Sequence, residues 1–305
     1  MTTFERIASA LKNAHNILLC GHENPDGDCV GSIAALAGGL RALGKHADIF
    51  LTDVPPALAC LVPSAIIELT GNHDLIVALD CASEERLALK ANIDIAIDHH
   101  APHSAYAKIS WVEESESACG MMVLRLLDEL AIDITPAIAD ALFVSICSDT
   151  GGFSNSNTNA AVFAAASRLT EAGANILWKK SLFDSRSPAS THMLGAMLSR
   201  YTLHDNGRIA AGFITHEEAV NAGAVPGDHE GLVDALRNIQ GVETAIFVRG
   251  KAGSGSKVSM RTTVIDAGKF MAQYKGGGHP RAAGCDLPLS PEDATKLLIA
   301  DFMRG

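Results

Sequence analysis

Residues 95–103 read IAIDHHAPH, an apolar run fit for a buried strand that is cut off by one carboxylate and two adjacent imidazoles. Ile95, Ala96 and Ile97 follow one another without polar alternation, as in a parallel strand covered on both faces. In an open parallel sheet the ligand site lies beyond the carboxyl ends of the strands, which is where Asp98, His99 and His100 then stand.

Working outward, LIVALDCA (75–82), HADIFLT (46–52) and NILLC (16–20) are further apolar strand candidates, and AYAKISWVE (105–113) reads as an added edge strand. Val30, Ile33, Leu36 or Ala37, and Leu40 recur at helical spacing after the loop GHENPDGD (21–28). Three more helical stretches follow: CGMMVLRLLDEL, TPAIADALFVSICSD, and TNAAVFAAASRLTEAG with its Gly173 stop. Strands first and helices later complete a doubly wound α/β domain.

Around SLFDSRSPASTHM the periodicity fades and Ser, Pro and Thr accumulate. Residues 1–184 are therefore expected to form the first domain, 185–200 a linker and 201–305 a second domain. The second domain shows GRIAAGFIT, TAIFVRG and KVSMRTT as strands, GLVDALRNI as a helix between the first two, and KAGSGSK as a hairpin tip.

Bulk properties agree with this plan. The 305 residues are 48% hydrophobic and 5% aromatic, enough for two cores built mainly from Ala, Val, Leu and Ile. The balance of 35 acidic against 24 basic groups, net charge -11, argues against a grip on long duplex nucleic acid but allows a small anionic substrate. Seven scattered cysteines without a CxxC pair indicate neither a disulfide framework nor a zinc knuckle. With no apolar signal core and no membrane-length run, a cytoplasmic chain is expected.

Polar groups follow apolar runs at four places: His22, Asp26 and Asp28; Asp80; Asp98, His99 and His100; and Asp149 after ALFVSICS. Singly each has a plain reading: Asp26 a turn acid before Gly27, Asp28 a helix N-cap, Asp80 a capping residue, Asp149 a turn acid. Brought together, the carboxylates would repel one another and raise their own pKa values unless cations neutralised them. Oxygen donors with imidazoles suit Mn²⁺, with Mg²⁺ or Co²⁺ as substitutes. The spacing H-x-x-x-D-x-D lets one loop feed two cations, the usual arrangement for phosphoryl chemistry.

HENPDGD, LD at Asp80, DHH at 98–100 and SDTGGF at Asp149 resemble, in order, the four motifs of the DHH phosphoesterase family. GGGHPRAAG (276–284) resembles the glycine-rich motif of the DHHA1 domain, and KVSMR the strand with its substrate-binding arginine. In size and domain order the chain is most similar to the NrnA-like group of bacterial nanoRNases and pAp phosphatases.

The resemblance implies an N-terminal DHH domain with a mainly parallel sheet, a smaller C-terminal DHHA1 α/β domain with a mixed sheet, and an active site in the cleft between them. It implies two Mn²⁺ ions bridged by Asp80, with His22 and Asp26 completing one set of ligands and Asp28, His99 and Asp149 the other. Water between the cations would attack phosphorus, His100 would face the substrate phosphate, and Asp98 would orient its neighbours. Arg261, Gly276, Gly277, Gly278, His279 and Arg281 would hold the nucleotide, the glycines by letting backbone N–H groups approach an anion.

The activity implied is hydrolysis of short RNA or linear dinucleotides such as pApA to mononucleotides, with the 3′-phosphate of pAp as a further substrate. Alternatives are a cyclic dinucleotide phosphodiesterase, a pyrophosphatase or polyphosphatase, and a nucleotide-binding module without catalysis. Expected partners are short RNA, a dinucleotide or pAp, with no long duplex and no membrane; a homodimer is compatible with this reading. The chain departs from the family pattern at Met121, where an acid is common, and at His103, where a small polar residue is common. His103 is read as a solvated loop histidine rather than an extra substrate contact, and Trp111 and Trp178 as packing residues.

Overall fold

The computed structural model describes residues 1–66, 72–179 and 185–304. The chain divides into two compact units, Met1–Ser185 and Arg186–Gly305; Asp184, the expected end of the first domain, lies outside the described residues.

In the first unit the strands are β1 (Asn16–Cys20), β2 (His46–Phe50), β3 (Ala65–Ile66), β4 (Leu75–Leu79), β5 (Ile93–Asp98) and β6 (Ala107–Val112). They form one parallel sheet in the order β3-β2-β1-β4-β5-β6. The helices are α1 (Thr3–Asn13), α2 (Gly27–Ala42), α3 (Cys119–Glu129), α4 (Pro136–Asp149), α5 (Ala160–Glu171) and the short α6 (Leu177–Lys179). The sheet is apolar on both faces. Ile17, Leu19, Val77, Leu79, Ile95 and Ile97 pack with Ile33, Leu36 and Leu40 of α2, while Leu18, Cys20 and Ala78 turn to a smaller cluster with Leu87 and Leu89.

Strand order reverses between β1 and β4, because the chain first moves outward through β2 and β3 and then returns to the other side of β1. That reversal opens a crevice at the carboxyl ends of β1 and β4, the position at which doubly wound sheets bind ligands. His22 follows β1 and Asp80 follows β4 at that end of the sheet.

The second unit contains α7 (Pro188–Leu198), β7 (Thr202–His204), β8 (Ile209–Ile214), α8 (His216–Asn221), α9 (Leu232–Arg237), β9 (Thr244–Gly250), β10 (Ser256–Thr262), α10 (Ala267–Ala272), β11 (Gly277–His279), β12 (Ala282–Leu287) and α11 (Pro291–Phe302). Its mixed sheet runs β11-β12-β10-β9-β8-β7, with β8 and β9 the parallel pair. One face packs on α10 and α11 through Ile246, Val258 and Met260; the other packs on α7 and α9 through Ala245 and Phe247.

The stretch expected as a linker, 185–200, contains α7. Ser187 caps it by accepting from the Ser190 amide, Pro188 occupies its first turn, and Met193 and Met197 are buried. Two helices rather than one separate β8 from β9, since HEEAVN after Thr215 closes a capping box with Glu218. No described helix is long and apolar enough to cross a membrane.

Candidate active site

Asp26 begins the site as a helix cap: its Oδ1 accepts from the amides of Asp28 and Cys29 at 3.0 and 3.1 Å and starts α2. The same oxygen lies 3.9 Å from Nε2 of His22. The plain and the functional readings of Asp26 thus describe one side chain that can do both, because its second oxygen takes no part in the cap.

Asp28, two residues on, points inward and is fully buried. Its carboxylate caps a different helix: Oδ2 accepts from the Cys119 amide at 2.7 Å and Oδ1 from the Gly120 amide at 3.2 Å, both at the start of α3. That helix has no side-chain cap of its own, since Ala118 precedes it. Ser32 and Ser145 also donate to Oδ1, at 3.0 and 2.5 Å. Burial, with the like charges of Asp80 and Asp149, raises the Asp28 pKa well above the usual carboxylate range.

The α2–α4 packing that brings Asp28 toward Asp149 depends on small residues. A Cβ on Gly31 would stand 2.4 Å from the Ala141 carbonyl, and one on Gly27 would stand 2.7 Å from Ser148 Cβ. Asp149, the last residue of α4, presents Oδ2 3.1 Å from Nε2 of His99.

Asp80 leaves β4 with φ of 56°, an uncommon conformation for a residue other than glycine. Its Oδ2 lies 3.8 Å from His22 Nε2, while Oδ1 lies 3.5 Å from both His99 Nε2 and His100 Nδ1. One buried carboxylate therefore stands among three imidazoles that follow two separate strands, His22 after β1 and His99 and His100 after β5. Burial raises its pKa against the opposing pull of His99.

The ring orientations decide what the cluster can hold. His22 Nδ1 donates to the Glu23 carbonyl at 2.9 Å, and His99 Nδ1 donates to the Glu116 carbonyl at 3.2 Å. In the neutral ring each therefore aims an Nε2 lone pair at the carboxylates. His99 Nε2 and Asp80 Oδ1 are buried without a hydrogen-bond partner. Burial alone would lower the His99 pKa, but Asp149, Asp80 and Asp28 outweigh it and push it up to about 11. The pocket thus calls for positive charge on this nitrogen. A divalent cation fits better than a proton, because it would serve several of these oxygens and nitrogens at once.

Ligand-capable atoms of Asp28, His99 and Asp149 fall within 4.8 Å of one another, as do those of Asp80, His99 and His100 and those of His22, Cys29 and Asp80. Cys29 occupies the place expected for Asp26. Its thiol is a poor ligand, because burial and then Asp80 raise its pKa well above the usual thiol value. His100 joins only through Nδ1, which already bonds Asp98 Oδ1 at 2.8 Å. Nε2 of that half-exposed ring takes no part in this bond.

Asp98 also accepts from the His99 amide at 2.9 Å, while its Oδ2 lacks a hydrogen bond. The structure corrects the reading of His103. Its side chain is 7% exposed, not solvated; it lies against Tyr106 with ring centroids 5.3 Å apart and places Nε2 3.6 Å from that Asp98 oxygen. Trp111 packs edge-on against Phe4, and Trp178 packs against the same core.

The predicted nucleotide-binding residues lie in the second unit. Arg261 pairs in register with Ala282, and Ala282 with His279, so Arg261 and His279 share one sheet face across a small residue. Two strand spacings separate them, about 10 Å. Arg261 is held by its own Met260 carbonyl and, at 3.7 Å, by Asp234. Arg281 is not on that row; it lies in the turn before β12 and donates to the Thr263 carbonyl. The glycines divide. A Cβ at Gly276 or Gly278 would strike β12, with Gly284 O at 2.3 Å and Ala282 O at 2.5 Å, whereas Gly277 faces open space. Packing thus accounts for two of them, leaving Gly277 as the place where a ligand can approach the backbone.

Sequence reading missed Ser32, Ser145 and the Glu116 carbonyl. Ser32 was findable, being one helical turn from Asp28; Ser145 sits in an apolar run, and a main-chain carbonyl leaves no mark on composition.

Residues 16–146 match the DHH family, N-terminal domain, and residues 206–303 match the DHHA1 domain. The chain is 30% identical over 290 residues to the bifunctional oligoribonuclease and PAP phosphatase NrnA of Thermus thermophilus, covering 92% of this chain and 87% of that one. It is 26% identical over 294 residues to the NrnA of Bacillus subtilis, covering 92% of each. Among solved structures it is similar to an exopolyphosphatase-related protein from Bacteroides fragilis, with TM-score 0.86, 22% identity and coverage of 99% and 96%. Thermus thermophilus RecJ in complex with Mn²⁺ is a more distant likeness, with TM-score 0.58, 16% identity and coverage of 98% and 54%.

Proposed function

This chain belongs to the DHH family and carries its companion DHHA1 domain, and from that premise we propose a Mn²⁺-dependent phosphoesterase that hydrolyses short oligoribonucleotides and linear dinucleotides to mononucleotides. The 3′-phosphate of pAp is a second substrate of the same site. Support comes from the two NrnA relatives, named for oligoribonuclease and PAP phosphatase activities and similar over nearly the whole chain. The observation that carries the reading is the buried pair of atoms without hydrogen bonds, Asp80 Oδ1 beside the strand-order reversal and His99 Nε2 after β5.

His22, Asp26 and Asp80 would hold one divalent cation, and Asp28, Asp80, His99 and Asp149 a second. Bound there, the ions would supply neutralising charge and the means to activate water at neutral pH. The protein's own contribution is preorganisation. Asp28 is locked by two amides and two hydroxyls, and the two ligand imidazoles are oriented by backbone carbonyls. Asp98 keeps the proton of His100 on Nδ1 and raises its pKa, so His100 can also carry a proton on Nε2 and donate it to a phosphate oxygen as charge develops. Arg261, His279 and the Gly277 backbone are the nucleotide-holding groups of the second unit.

The decisive experiment measures kcat/KM for pApA, RNA of two to five residues, pAp, cyclic di-AMP and pyrophosphate, each with Mn²⁺, Mg²⁺ and Co²⁺. Short linear RNA and pApA with Mn²⁺ are expected to lead, and chelation to stop turnover. A lead for the cyclic dinucleotide or pyrophosphate would replace the substrate assignment, and tight binding without product would replace the enzyme with a binding module.

A further inference from the structure

A second cationic group lies on the Arg261 face of the C-terminal sheet, at its other end. Lys257 of β10 pairs in register with Arg249 of β9, and both have the strand parity of Arg261. Four residues along β10 separate Lys257 from Arg261, about 13 Å, too far for one phosphate to touch both.

Arg249 lines a cavity of about 260 Å³ together with His216, His229 and the apolar side chains of Met193, Ile214 and Val225. Three arginines of this unit are half-buried. Arg200 pairs with Glu218 and Arg261 with Asp234, whereas the Arg249 side chain has no hydrogen bond or ion pair among the described residues. A half-buried guanidinium with no protein acceptor keeps its donors open to a ligand.

The nearby carboxylates are committed or peripheral. Asp228 accepts from Ser187 Oγ and the Val225 amide, Asp286 beside Lys257 is held by Lys251 at 3.3 Å, and Glu230 is exposed. His229 feels the group: burial and then the charges of Arg249 and Lys257 lower its pKa.

We propose that Arg249, Lys257 and His229 form a second phosphate subsite, for a nucleotide phosphate remote from the one held at Arg261, with the apolar cavity wall receiving part of a base or sugar. A planar guanidinium beside an ammonium suits a phosphate better than a carboxylate, since the fork bonds two oxygens while the point charge meets a third. The subsite rests on the phosphoesterase reading for its ligand class. Its phosphate comes either from a longer oligonucleotide anchored at Arg261 or from a free mononucleotide.

The test compares the wild type with an Arg249→Ala/Lys257→Ala double variant. Substrates are pApA and 5′-phosphorylated pentaadenylate, and AMP binding is followed by calorimetry. For a chain-borne phosphate, KM for the pentamer rises roughly tenfold, as for loss of charge-assisted hydrogen bonds, while kcat and the pApA constants stay within about twofold. For a free nucleotide, the wild type binds two AMP and the double variant one, with pentamer KM unchanged. Unchanged pentamer KM and unchanged AMP stoichiometry overturn the proposal, as do equal losses on both substrates. Lys257→Ala alone, at an exposed position, guards against a folding artefact and should give part of the effect. If the wild type hydrolyses neither substrate, the phosphoesterase reading fails by itself. The subsite is then judged by the Kd of fluorescently labelled pentamer, expected to weaken tenfold in the double variant and to stay unchanged if the proposal is wrong.

Discussion

Asp80 is the residue on which the electrostatics of the site converge, since its two oxygens face different imidazoles and one of them has no hydrogen bond. Asp80→Asn keeps the shape and removes the charge. Its expected consequences are opposite in sign with and without metal. Unmetallated protein should be as stable as the wild type or more so, because a buried carboxylate near Asp28 and Asp149 is gone. The rise in Tm on adding Mn²⁺ should disappear, and kcat/KM should fall at least about 10²-fold, the scale of losing one preorganised charge. Thermal scans with and without Mn²⁺ check this, and an unchanged Mn²⁺ response would remove Asp80 from the metal site. The strand-end residues were legible because a carboxylate or imidazole directly after an apolar run breaks its pattern. The burial of His103 was not, because burial of a loop residue depends on what folds over it, here Tyr106 and the Asp98 carboxylate.

Helix contacts, rather than the strands alone, bring Asp28 near Asp149, so element packing makes its own predictions. Gly31→Ala places a Cβ 2.4 Å from a backbone carbonyl of α4, which cannot swing aside as a side chain can. Overpacking of this kind costs about 1–3 kcal/mol, and because α2 carries Asp28 the loss should also appear as weaker Mn²⁺ binding. A variant with lowered Tm but wild-type Mn²⁺ affinity would mean that the helix pair tolerates a shift without moving the site. At the amino end of the strands, Asp74 accepts from the amides of His15 and Asn16 at 2.9 and 3.0 Å and ties the start of β1 to that of β4. These bonds, the His15 amide first, lower its pKa. A depressed carboxylate stabilises above its unfolded pKa, near 4, and that stability is lost as pH falls through the folded value. Asp74→Asn should therefore lower Tm near pH 7, by about 2 °C or less for so exposed a group. The gap from wild type should close as pH falls through the folded pKa; a gap that is constant with pH would assign the effect to shape instead of charge. The strands were readable from continuous apolar runs. Helix α7 was not, because Ser187 and Pro188, which start it, are also the residues from which linkers are made, and only burial of Met193 and Met197 separates the two meanings.

At the scale of the whole molecule, composition already implied two domains, and the chain divides after Ser185. Composition could not say where the few cations gather, because strand register, not sequence distance, puts Arg249 beside Lys257 and aligns Arg261 with His279. This distribution has a measurable result. A net charge of -11 repels a long polyanion overall, so affinity must come from a few local contacts, and each phosphate engaged on a single strand contributes about -0.7 to the slope of log K against log salt. For a trinucleotide, kcat/KM between 50 and 300 mM KCl is expected to follow a slope of about -1 to -2. A single strand of thirty residues should inhibit hydrolysis of pApA no better per molecule than a pentamer does. Tenfold tighter inhibition by the long strand would mean a continuous phosphate track. The acidic surface would then be no barrier, and the preference for short substrates would need another cause.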